Sequence, residues 1–349
     1  MTTGTKPHKD AAGRRAGARA SAALAALLAC ATPAAADEPG GTWSLQLEND
    51  RIANTDRHYT HGSRLSWVSN LKTDGPAWVR KILETIYPLA DMRGGRIGFA
   101  LGHNIYTPEN TDSRALVVDD RPYAGWLYGA VSLHAETSRH IGTLKLDTLD
   151  SVELNLGIVG PQAYAADVQN IVHDMIGVSR SNGWDNQLDN EPALAVFFER
   201  KWRPEAIRHN GFEADLIPHA GGSVGNVFTL ANAGGTLRFG RGLDLDFGPP
   251  HIRPTLSGLE AVGAGNRFGW YLFAGAEARA VLRNIFLDGN TFGSSHSVDR
   301  KTFVGDFQFG AAVIFRGIRV AFTHVLRTRE FDGQPGGDRY GTLSVSAKF

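Results

Sequence analysis

Five residues stand out by type and spacing: Asn49, Asp50, Thr60, Gln169 and His173. Asn49-Asp50 closes a stretch, Trp43 to Glu48, in which apolar and polar residues alternate, and Thr60 opens a second such stretch, Ser63 to Trp67. The segment between them, "RIANTDRHY", is far richer in carboxylate, amide and hydroxyl than a turn requires, because a hairpin turn needs a Gly or Asn and little else. If the two stretches are neighbouring strands about 5 Å apart, Asp50 and Thr60 can face one shared point. Their oxygens are hard ligands of the kind Ca²⁺ takes. A polar hairpin that binds nothing explains the same residue types equally well. Gln169 and His173 lie four apart in a stretch that reads as helix, so they share a face. Neutral imidazole can take a proton from water near pH 7, which makes His173 a candidate general base. A rim histidine without a role has the same signature.

One apparent motif carries no chemistry. Gly221-Gly222-Ser223-Val224-Gly225 matches G-x-S-x-G, but the nucleophile elbow needs a strand-to-helix turn. Here strand patterns lie on both sides, so the segment reads as a Gly-rich hairpin and Ser223 as bland. No Cys/His group has zinc-type spacing.

The elements that must position these residues are strands. Leu343, Val345, Ala347 and Phe349 alternate with Thr342, Ser344, Ser346 and Lys348, and the same period of two runs through Val152 to Ile158, Phe303 to Phe315 and Ile318 to Arg327. Alternation over ten or more residues is the dyad signature of a membrane β-barrel, whereas strands of a water-soluble sandwich average about half that length. Twelve long strands are predicted, near 42–49, 59–70, 95–106, 122–137, 148–160, 190–203, 211–224, 226–240, 267–282, 302–316, 317–330 and 338–349. The expected fold class is all-β, a transmembrane antiparallel barrel of about twelve strands in one domain, residues 37–349. Two segments read as short helices: Pro76 to Ile86, and Tyr164 to Gly177 with Gly177 as its C-terminal cap. With both termini on the periplasmic side, residues 50–58, 107–121, 161–189, 283–301 and 331–337 become outer loops. The chemically unusual residues then gather at one end.

Residues 1–36 read as an export signal: Lys6, Lys9, Arg14, Arg15 and Arg19, an apolar core from Ser21 to Ala31, then Ala34-Ala35-Ala36 as an A-x-A cleavage site. The twin Arg14-Arg15 and the lipobox-like Leu27-Leu28-Ala29-Cys30 are rival readings of the same segment. Cys30 is the only cysteine, so the expected mature chain has no disulfide. Removing five basic and one acidic residue from 36 of each leaves 31 and 35, a balance that argues against a nucleic-acid partner. No later apolar run is long enough for a membrane helix.

Six stretches, "LENDRIANTDRHYTHG", "GHNIYTPENT", "DDRPYAGW", "GIVGPQAYAADVQNIVHDMIG", "GWDNQLDNEP" and "REFDGQPGGDRYG", together resemble the LpxR-type lipid A 3′-O-deacylases, in order and across nearly all of the expected mature chain. The resemblance implies a twelve-stranded outer-membrane barrel and Ca²⁺-dependent hydrolysis of the 3′-linked acyl ester of lipid A. It assigns the family's Asn-Asp pair to Asn49 and Asp50, its threonine to Thr60, its helix glutamine to Gln169 and its catalytic histidine to His173. Ser113 stands where the family pattern has a lysine, with Arg114 beside it as a candidate phosphate-binding fork. Ser179 stands where the pattern has an acidic residue, six after the histidine.

The expected function is thus an integral outer-membrane esterase, monomeric, with lipopolysaccharide as substrate, Ca²⁺ near Asp50 and Thr60, and Arg114 as a substrate contact. An outer-membrane phospholipase would use similar chemistry. A passive pore or adhesin is the reading from another class, and nothing in it requires Asn49, Asp50, Gln169 and His173.

Overall fold

The computed structural model describes residues 40–50, 58–69, 81, 85, 95–248 and 267–349. The expected signal lies outside them, as do the tip of the first outer loop and most of the helix expected at 76–86, of which Lys81 and Thr85 are helical.

Among the described residues, twelve long antiparallel strands and one short strand form a single closed sheet. They are β1 (Gly41–Asn49), β2 (His58–Ser69), β3 (Arg96–Thr107), β4 (Ala124–Ile141), β5 (Leu144–Val159), β6 (Glu191–Pro204), β7 (Ile207–His209), β8 (Phe212–Gly225), β9 (Phe228–Arg241), β10 (Phe268–Asn284), β11 (Phe303–Phe315), β12 (Ile318–Arg327) and β13 (Asp338–Lys348). Each long strand pairs with its neighbour in sequence. β1 pairs with β13 from Thr42↔Lys348 to Asn49↔Gly341, and β6 with β8 from Ala195↔Gly225 to Lys201↔His219, which completes the ring. The three-residue β7 extends the β6 edge along β8 at Ile207↔Ala214. Pro204 and Pro218 flank the gap between these pairings, and neither has an N–H to give to a ladder. The β4–β5 hairpin is taller than predicted, because both strands continue to a turn at Gly142, where φ is 62°.

Alternation sorts the side chains as membrane physics demands. In β1, Thr42, Ser44, Gln46 and Glu48 are buried in the lumen while Trp43 and Leu47 are exposed. In β2, Arg64 and Ser66 point in and Leu65 points out, and Phe99 and Leu101 point out from β3. An apolar outside with a polar inside is the arrangement of a barrel solvated by lipid.

The lumen is packed. Arg238 donates to Asp215 and Asp246, both at 2.6 Å, and Arg319 to Asp246 at 3.2 Å. The chain after β9 folds inward to supply Asp246 and buries Leu243 and Leu245 against Tyr271 and Phe273. Toward the other end, Tyr106, Trp126, Tyr128, Phe228 and Phe286 form an aromatic core. A lumen filled this way gives no support to a passive pore.

Candidate active site

The helix expected at 164–177 is α1 (Ala165–Ile176), and it lies against the barrel wall. Its buried row is Ala165, Gln169 and His173, spaced by four residues. The close approach depends on Gly125 of β4, where an added Cβ would sit 2.5 Å from the Ala165 Cβ. Ile105, Tyr123 and Trp184 complete the apolar bed under the helix.

Strand parity fixes the side of the wall on which α1 sits. Ile105 and His103 share the outward parity of Phe99 and Leu101, and His103 bonds through Nε2 to the Ala163 carbonyl at 2.9 Å. Asn49 has the outward parity of Trp43 and Leu47, and His61 that of Leu65. A cleft between helix and wall is lined by Asn49, Thr60, His61, Ile105, Val168, Gln169, Val172 and His173. It therefore lies on the outward-facing side of the barrel wall, at the rim where β1 ends and β2 begins. Its interior leaves about 20 Å³ for water, room for about one molecule.

Thr60 reaches this cleft through a bulge. Consecutive strand residues point to opposite faces, yet Thr60 and His61 both line it. The β2–β3 register passes from Tyr59↔Tyr106 to His61↔Ile105, which leaves Thr60 as the extra residue. Its hydroxyl meets the Thr107 hydroxyl at 2.7 Å, and Asn49 Nδ2 donates to the Thr60 carbonyl at 3.0 Å.

His173 is oriented by its own helix terminus. Gly177, with φ 73°, turns the chain back on itself, and the amides of Gly177 and Val178 both donate to the His173 carbonyl. The reversal brings the Ser179 carbonyl to 2.7 Å from His173 Nδ1. A carbonyl can only accept, so Nδ1 carries the proton and Nε2 the lone pair. Arg180 clasps Asp174 through two hydrogen bonds and holds the same turn from outside. That hydrogen bonding, with the Arg180 charge beside it, keeps the Asp174 carboxyl below its ordinary range. The residue that departs from the acidic pattern thus orients the imidazole with its backbone.

Asn49, Thr60, Gln169 and His173 come together as the sequence suggests. Asp50 follows Asn49 at the strand end and is buried, but does not line the cleft. Arg114 is exposed and also outside the lining, and its carbonyl accepts from Asn186 Nδ2 at 2.9 Å. The Asp50 carboxylate and the Thr60 and Thr107 hydroxyls are hard oxygen, the donor type that Ca²⁺ takes, and the two hydroxyls lie 2.7 Å apart.

Sequence reasoning missed two features. Trp184 donates its indole N–H to Gln169 Oε1 at 2.8 Å; a tryptophan fifteen residues downstream gives no sequence signal of that bond. In the lumen, Glu199, His219 and Glu277 bring potential ligand atoms within 4.8 Å of one another and could hold a metal ion. There, Lys201 already lies 3.4 Å from Glu199 and Arg279 lies 3.6 Å from Glu277. These three residues come from three separate strands, which no linear motif could have announced.

The family model described as outer membrane protein LpxR matches residues 22–349. Among solved structures, LpxR from Salmonella typhimurium is similar at 20% identity with a TM-score of 0.70, covering 88% of this chain and all of that one. The β domain of the Bordetella autotransporter BrkA aligns at 12% identity and a TM-score of 0.43, over 89% of this chain and 99% of that one. No curated protein matches.

Proposed function

We propose that this chain, which belongs to the LpxR family of outer membrane proteins, is an esterase that removes the 3′-linked acyl group of lipid A. The protein is a β-barrel of the outer membrane. Residues 1–36 would be its export signal and residues 37–349 the barrel enzyme, acting as a monomer.

One observation carries the reading: a water-sized cleft on the lipid-facing wall, with His173 in its lining and Nδ1 committed to Ser179. A site that opens on lipid suits a substrate whose acyl chains never leave the membrane. His173 Nε2 takes a proton from water as the water oxygen bonds to the acyl carbonyl carbon. Collapse of the tetrahedral adduct breaks the bond to the 3′-linked oxygen, which leaves with the proton held on Nε2. The products are a free fatty acid and a hydroxyl. Thr60 and Gln169 orient water and substrate, and Asn49 ties the β1 and β2 tips together through the Thr60 carbonyl. Asp50 and Thr60 would hold Ca²⁺, which when bound supplies positive charge to the developing oxyanion. Arg114, exposed at the rim, is available to a lipid A phosphate.

The test is the mass spectrum of lipid A from cells that make the wild-type protein, the His173→Ala variant or neither. Loss of one acyl group only with the wild type supports the reading. Unchanged lipid A, with glycerophospholipid cleaved instead, would transfer the same chemistry to a phospholipase.

A further inference from the structure

We infer that Trp184 is a positioning residue, whose indole N–H fixes the Gln169 amide so that the cleft meets a hydrogen-bond donor and not an acceptor. The inference rests on the ester-hydrolysis reading above and sharpens it at one side chain.

A glutamine head has two unlike ends, and what it does in a site depends on which end faces the reacting atoms. Indole Nε1–H is a donor only, so the 2.8 Å bond from Trp184 can be made only to the amide oxygen of Gln169. Both side chains are buried. Gln169 lines the cleft beside His173, and with Oε1 engaged the end left for the cleft is Nε2. That atom is buried and has no hydrogen-bond partner among the described residues. A buried amide N–H₂ without a partner costs stability, and such a cost is compensated when the group meets its acceptor in the substrate. The acceptor that an ester presents during hydrolysis is the carbonyl oxygen, which gains negative charge as water adds. A flipped amide would turn Oε1 on that charge and oppose it.

Trp184 is itself braced from behind. Its ring packs on Tyr123 with centroids 4.9 Å apart. Gly183 passes so close to Tyr123 that a Cβ there would lie 2.6 Å from the phenol ring. Asn182 N donates to the Thr111 carbonyl and Leu188 N to the Tyr123 carbonyl, so the loop bearing Trp184 is stitched to the β3–β4 loop on either side of the indole. The indole is therefore held by the barrel rim, and α1 receives its N–H as a fixed reference.

The experiment measures kcat and KM for acyl release from lipid A in detergent micelles with Ca²⁺. It compares the wild type with His173→Ala, Trp184→Phe, Gln169→Ala, Gln169→Glu and the Trp184→Phe/Gln169→Ala double variant, each checked for heat-modifiable gel migration. Trp184→Phe keeps the ring on Tyr123 and deletes only the N–H. Its kcat should fall about tenfold, part of the ~10²–10³-fold loss typical for removing an oxyanion donor, with KM little changed. In the Gln169→Ala background the same substitution should cost nothing further, because its effect runs through Gln169. Gln169→Glu keeps one oxygen on the indole and turns the other to the cleft, so its kcat should lie below that of Gln169→Ala. This arm leaves Trp184 untouched and holds even where Trp184→Phe folds poorly. Wild-type protein that releases no acyl group, or a fully active His173→Ala, would overturn both readings. Active wild type and inactive His173→Ala, with kcat unaffected by Trp184→Phe or lowered equally in both backgrounds, would overturn the positioning role alone.

Discussion

His173 Nδ1 donates to the backbone carbonyl of Ser179, six residues ahead in the same chain, at 2.7 Å. An orienting partner fixes a histidine's tautomer and ring plane, and a carboxylate commonly does this work. Here a backbone carbonyl does, so the side chain at position 179 takes no part in the contact. Ser179→Ala should retain nearly full activity, while His173→Ala should lose about 10²–10⁴-fold in rate, the usual worth of a general base. Ser223→Ala should also be near silent, since the Ser223 hydroxyl faces the lumen and donates to the Phe228 carbonyl at 3.2 Å. Acyl release from lipid A measures all three. An inactive Ser223→Ala beside an active His173→Ala would mean a serine hydrolase and end the present assignment.

The same bond depends on the turn at Gly177. An added Cβ there would meet nothing within 4 Å, so a substitution acts only through the backbone, where φ is 73°. A non-glycine residue in the left-handed region costs about 1–2 kcal/mol, and the chain can relieve that strain by moving Ser179 off the imidazole. Gly177→Ala should therefore lower kcat for acyl release, and leave heat-modifiable migration unchanged because α1 lies outside the closed sheet. A kcat equal to that of the wild type would mean that the turn does not hold the ring.

Much of this was legible in the sequence, for physical reasons. A wall with lipid on one face and a packed polar lumen on the other imposes period two on every strand, so twelve strands could be counted and the rim loops sorted. Helix α1 was legible from its spacing and from Gly177, whereas Gln169 and His173 on one helix face stood out from a role-free rim histidine only through the family resemblance. The bulge at Thr60 was not legible, because alternation alone sends Thr60 and His61 to opposite faces and only the register with β3 brings them together. Trp184 was not legible, since its N–H acts across a loop. Nor were the luminal ion pairs: Glu153 of β5 reaches Arg64 of β2, and Asp246 reaches Arg238 and Arg319 from the folded-in segment after β9.

Chelation tests the metal. Hard oxygen donors at Asp50, Thr60 and Thr107 suit Ca²⁺, and the expected outcome is that excess EGTA abolishes acyl release and added Ca²⁺ restores it. Asp50→Ala should lose activity comparably to His173→Ala and should also lose Ca²⁺ binding measured by calorimetry. Full turnover in EGTA would remove the ion from the reaction.

Acid should loosen the outer rim at Glu330. This residue lies in the loop after β12, where its carboxylate accepts from Arg121 at 2.8 Å and its own amide donates to Gln334. Its carbonyl accepts from the amide of Lys301, so three rim segments meet at one residue. Burial alone would raise its pKa; the positive charges of Arg327, Arg121 and Arg279 outweigh burial and hold it at about 2. An unfolded glutamate titrates near ~4.3. A folded pKa below the unfolded one means that the contribution is fully present above ~4.3 and is lost as pH falls from there toward 2. The readout is the temperature at which the barrel loses its compact gel migration, for wild type and Glu330→Gln across that range. The wild type should be the more stable at pH 7, and the gap between the two should close as pH falls through the window. A gap that holds constant down to pH 2 would show that the Glu330 charge contributes nothing to the closed rim.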